Sequence, residues 1–192
     1  MDVLTLLTEA QGRLREVVSG IADTELDVVS NCAPWTVRRL AGHALKNQLF
    51  WAGVVTGHEL MSQAEAMAAV PYDGDLGPVA AEVIDTVVEL WHTDGVLEAE
   101  HVTPFGELPG VVVVDFALVD AAAHAWDLSA SVGRPLEFPA AWVDDLTGVV
   151  ERTCTDHAVE IGLVKPPTEP PAAATASERL MARAGRSLPG VG

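Results

Sequence analysis

The sequence predicts an all-α protein, a bundle of helices with short decorations. Two observations carry that expectation. Apolar residues recur at helical spacing through several long stretches, and the breaks between them are rich in Gly, Pro and Asp. No stretch reads convincingly as a sheet, and there is no internal repeat.

Taken in order, Val3, Leu7, Leu14, Val17, Val18 and Ile21 share one side of a first helix, which Gly20 and the polar "DTELD" end. Pro34 breaks the chain. Thr36 can then cap a second helix running to about Thr56, where Gly57 stops it. "MSQAEAMAAVPYDGDLGP" reads mostly as a connection. A third helix is expected from Val79 to about Leu97, with Pro78 in its first turn, and "HVTPFGELPG" reads as a loop. The fourth helix begins within "VVVVDFALVD", whose four valines alone would suggest a strand, and ends at Gly133. Pro139 opens a fifth, carrying Val143, Leu146, Val150, Cys154 and Ile161 up to Gly162. "VKPPTEPPAAAT" is expected to run extended along the surface, and "SERLMARAGRSL", with a Ser cap, to make one last short helix. The expected division is a helical bundle over residues 1–165 and a Pro/Ala-rich tail over 166–192 packed on the same domain.

Eleven Lys and Arg against 28 Asp and Glu give a formal charge of −17. Such a surface repels nucleic acid and anionic membranes, so neither is an expected partner. No apolar run is long enough to cross a bilayer, and the opening "MDVLTLLTEAQGRLREVV" has no basic n-region, so the expected location is cytoplasmic. Two cysteines, Cys32 and Cys154, form neither a disulfide framework nor a CxxC knuckle and read as apolar thiols.

The chemistry concentrates in "VDAAAHAWDLSASVG". Asp120 and His124 lie four apart with only alanines between them, so both project from one apolar helix face. An unpaired buried carboxylate costs several kcal/mol. A divalent cation would remove that cost by using both groups as ligands, as in helical motifs with two ligands four residues apart. His43, on the stripe with Leu40, Asn47 and Phe50, can supply a second imidazole. Three protein ligands leave an open position for water or substrate, whereas a closed structural zinc site uses four. A metal-free Asp–His hydrogen bond satisfies the same pair, and both readings stand at this point. His157 also projects toward the core side of the fifth helix, while His58, His92 and His101 fall near helix ends or loops and read as solvated.

"NCAPWTVRRLAGHAL" resembles the C-x-x-W-T-V-x-x-L-x-x-H entrance to the second helix of DinB-like metal proteins. It is closer still to the branch containing the N-terminal domain of mycothiol-dependent maleylpyruvate isomerase. "PFGELPG" followed by "DAAAHAWDLSASVGRPL" is similar to that branch's loop and D/E-x-x-x-H-x-W-D-L block, and "SERLMARAGRSLP" to its closing R-L-x-x-x-x-G-R-x-P stretch. The resemblance implies a DinB-like four-helix bundle holding a divalent metal on His43, Asp120 and His124. Zinc is expected, with nickel or iron also suited to two imidazoles and a carboxylate. The isomerase has Glu where this chain has the shorter Asp120. The implied activity is transfer or isomerisation using a low-molecular-weight, mycothiol-like thiol, with a small-molecule thiol and an electrophile as partners. A non-catalytic metal-binding or stress-related module and a metal-hydroxide hydrolase are the alternatives; the hydrolase would need a base, for which His157 is the candidate. Around the triad, Trp35, Arg38 and Asn47 are candidate pocket residues. Asp127 is a candidate acceptor for a ligand imidazole, against a local salt bridge or a solvated carboxylate. Apolar helix faces could pair two copies as a homodimer, but no heptad specifies it.

Overall fold

A computed structural model describes residues 1–187. Four long helices make the bundle: α1 (Val3–Ser19), α2 (Val37–Thr56), α4 (Leu76–Trp91) and α5 (Gly110–Ser131), with the short α3 (Gln63–Ala68) between the second and third of them. α1 and α2 each lie against both α4 and α5, so they face one another diagonally across the core. The fold is the expected all-α, DinB-like bundle. Asp2 caps α1 by accepting from Thr5 N, and Thr36 caps α2 by accepting from Arg39 N. Gly57 ends α2 at φ +69°, a left-handed conformation that glycine adopts without strain.

Several local expectations are corrected. α4 starts at Leu76 under an Asp75 cap and stops at Trp91, well short of Leu97. The segment read as connection contains α3, closed by a capping box between Ser62 and Glu65. The segment read as a loop is an antiparallel hairpin of β1 (Glu100–Thr103) and β2 (Gly106–Pro109), with Glu100 opposite Pro109 and Thr103 opposite Gly106. It feeds directly into α5, whose first residue donates from its amide to Ala99 O at 2.8 Å. A Cβ at Gly110 would sit 1.9 Å from Val96 O, so glycine alone permits that approach.

The valine run is helical from Gly110 onward, with Val113 and Val114 fully buried: burial in the bundle outweighs β-branched propensity. The fifth predicted helix breaks into α6 (Ala140–Thr153) and α7 (Asp156–Glu160), the latter capped by Thr155. Ile161 is therefore exposed rather than in the core. The last helix, α8 (Ala176–Arg183), is capped by Thr175, not by the serine within the motif. α6 packs on α5 and α8 on α6, which brings Lys165, Ala184 and Arg186 of the C-terminal segment to the same cavity as the polar residues of α2 and α5. No helix among the described residues is long and apolar enough to cross a membrane.

Candidate metal centre and its cavity

His43 projects from the middle of α2, and Asp120 and His124 from successive turns of α5, the helix it faces. One donor atom from each of the three falls within 4.8 Å of the other two. His43 Nδ1 lies 2.7 Å from Ala66 O in α3. A carbonyl only accepts, so Nδ1 carries the proton and Nε2 turns its lone pair toward the other two side chains. His124 Nδ1 lies 3.3 Å from Asp127 Oδ2, and its Nε2 lies 3.4 Å from Asp120 Oδ1. Metal–ligand bonds of about 2.0–2.1 Å put the edges of a tetrahedral zinc site at about 3.4 Å, so this pair already has the spacing one ion requires. Each imidazole is thus held at Nδ1 by an acceptor, the arrangement that orients histidine ligands. The residues present could hold a divalent cation.

Without an ion the same groups are satisfied by protein. Asn47 Nδ2 donates to Asp120 Oδ1 at 2.9 Å, and Gln48 Nε2 to Oδ2 at 2.9 Å. Gln48 is itself held by Gln11 from the diagonally opposite α1, at 2.9 Å. Burial alone would lower the His124 pKa, but the Asp120 and Asp127 carboxylates override it and push it well above the usual imidazole range. Burial would raise the Asp120 carboxyl, yet the neighbouring His124 and His43 and the Asn47 amide bring it below its ordinary value. For His43, burial and then the nearby His124 charge both act to lower the pKa.

Asp127 is 0 % exposed. It accepts from Asn31 Nδ2 at 2.8 Å and from Cys32 Sγ at 3.2 Å, in addition to facing His124. The Arg186 Nε lies 3.2 Å from the same carboxylate. Burial would raise the Asp127 carboxyl; the Arg186 charge and the His124 hydrogen bond hold it far below the carboxylate range instead. Asp127 is therefore a buried anchor for the His124 ring and not a solvated carboxylate.

The triad opens onto a cavity of about 580 Å³, inside the range usual for small-molecule sites. Trp35 and Asn47 line it, and Trp35 packs against the His43 ring with centroids 4.8 Å apart. Arg38 does not line it: its guanidinium turns outward to Gly74 O at 3.4 Å. His157, the candidate base, is also elsewhere, its side chain 78 % exposed beside Glu160, because α7 is a separate helix whose turn phase no longer follows α6. His101 is the reverse case, buried in the hairpin with Nε2 donating to Val96 O at 2.7 Å.

Cys32 and Cys154 are half-buried and both line the cavity, so they are not simply core thiols. Trp126 is buried in the core, yet its Nε1 meets no acceptor among the described residues. Arg186 and Lys165 give the cavity two cationic side chains that composition and spacing did not single out, although "AGRSL" sits within the closing motif. The Leu188 and Pro189 of that motif lie outside the described residues.

Comparison with known proteins gives a consistent picture. The family model described as the mycothiol maleylpyruvate isomerase N-terminal domain matches residues 7–129. Two uncharacterized proteins of Mycobacterium tuberculosis, one from each of two strains, are 29 % identical over 136 residues, covering 70 % of this chain and 69 % of theirs. No solved structure matches significantly.

Proposed function

The chain belongs to the mycothiol maleylpyruvate isomerase N-terminal domain family, and we propose that it is a divalent-metal-dependent enzyme joining a low-molecular-weight thiol to an electrophile, by S-transfer or thiol-assisted isomerisation. The observation that carries this reading is the convergence of His43, Asp120 and His124 at the floor of a cavity large enough for a small molecule. Three ligands leave room for one more, and zinc suits this set best. A divalent cation held there would supply positive charge favouring the thiolate form of a bound thiol near neutral pH.

The chain's own residues supply orientation and shelter. Asp127 and the Ala66 carbonyl fix the two imidazole rings, and Asn47 and Gln48 fix the Asp120 carboxylate. Trp35 and the aromatic residues beyond Asn47 restrict water. Arg186 offers positive charge beside the triad for an anionic group on either reactant. Among the described lining residues, the one carboxylate, Asp120, and both histidines belong to the triad, so none of them supplies a base separate from the proposed ligands, which disfavours a hydrolase.

Elemental analysis of the purified protein with His43→Ala and His124→Ala tests the ion. About one equivalent of metal in the parent chain and none in either variant is expected; equal metal in all three refutes it. Turnover of an electrophile panel should require both metal and a thiol such as N-acetylcysteine. A second reading, a non-catalytic metal-binding module, would use the same His43, Asp120 and His124 donors without any thiol. It would be favoured by a large loss of melting temperature on chelation with no thiol-dependent turnover of any electrophile.

A further inference from the structure

We infer that the cavity is shaped for a flat, largely apolar electrophile of roughly two fused aromatic rings, rather than a small polar acid. The inference rests on the thiol-using site above and names the class of its second substrate. One turn beyond Asn47, α2 brings Phe50 and Trp51 to the cavity wall; one turn before Asp120, α5 brings Phe116. Trp51 and Phe116 stack nearly parallel, with centroids 5.7 Å apart and planes at 10°, and Phe50 meets Trp51 edge-on at 4.9 Å. Phe105, in the turn between β1 and β2, and Met67 from α3 add apolar surface.

Phe105 and Phe116 are only partly buried, so their rings present free apolar surface inside the cavity. A flat ligand covers such surface and stacks on it. A small dicarboxylate could meet Arg186 or Lys165 but would lose hydration against the aromatic wall, whose rings return no hydrogen bonds. Phe116 precedes Asp120 by one helical turn, about 6 Å along the axis. A ring held there lies within reach of a sulfur placed at the triad.

Isothermal titration with 1-naphthol and with maleate, on metal-loaded and on EDTA-stripped protein, separates the alternatives. One naphthol per chain is expected in both forms, bound about tenfold or more tightly than maleate. Phe116→Ala and Phe105→Ala should each weaken naphthol about fivefold to tenfold. Circular-dichroism melts report folding, and Phe105, on a hairpin turn, is the variant least able to disturb the bundle. Maleate binding as tightly as naphthol overturns the inference, as does naphthol affinity unmoved by both substitutions. Naphthol binding without thiol-dependent turnover leaves the inference standing and removes the enzymatic reading. Thiol-dependent turnover of small acids with no naphthol binding does the opposite.

Discussion

Replacing Asp127 with Asn keeps the shape of the side chain and removes its charge. In the parent chain that charge sits 0 % exposed between the His124 imidazole, at 3.3 Å, and the Arg186 guanidinium, at 3.2 Å, whose own side chain is 18 % exposed. Breaking a buried pair by removing one partner typically costs 3–5 kcal/mol, because the surviving charge has nowhere to go. The cavity gives Arg186 some access to water, so the lower figure, about 3 kcal/mol, applies here. For a chain of this size that is a fall in melting temperature of about 6–12 °C. Asp115→Asn is the control. It removes the same charge from an ion pair whose arginine, Arg152, is 61 % exposed, and should cost about 1 kcal/mol or less. Urea and thermal unfolding followed by circular dichroism would read both. Equal losses in the two variants would refute the reasoning, since burial of the cation would then have no energetic consequence. If a metal occupies the triad, Asp127→Asn should also weaken its affinity about 10–100-fold by releasing the His124 ring.

Other substitutions test the packing. Gly110→Ala, whose Cβ would meet Val96 O at 1.9 Å, should destabilise by about 3 kcal/mol or more, whereas Gly12→Ala in α1, with nothing within 4 Å, should stabilise by about 0.5–1 kcal/mol. Opposite signs in a paired denaturation experiment are the required result. Burial raises the Cys154 thiol above its ordinary value, so its alkylation by iodoacetamide, followed by peptide mass spectrometry, should have a midpoint pH higher than that of a free cysteine. A midpoint at or below the free value would contradict the half-buried placement.

Much of the bundle was legible because helix period and caps survive in a single sequence. Thr36 and Gly57 bracket α2 as their chemistry demands, and the four-residue spacing of Asp120 and His124 places them on one face wherever the helix is buried. The errors have local causes. α3 is a helix of six residues, too short for periodicity to register, although the Ser62–Glu65 capping box was a readable signal. Only β1 of the hairpin alternates buried and exposed residues, and over just four positions, which hid the inward His101 among the neighbouring prolines and glycines. Helical projection failed for His157 because Thr155 starts a new helix. Arg186 was beyond spacing arguments altogether: it reaches Asp127 across a separation only the folded tail can close.

The family match ends at residue 129, before Arg186, Lys165 and Cys154 enter the chain. The frame that would grip an ion, together with the aromatic wall, and the cationic side of the cavity are thus written in separate stretches of polypeptide. Relatives can inherit the first intact while rewriting the second. Divergent substrate choice within such a lineage requires no alteration of the donors themselves.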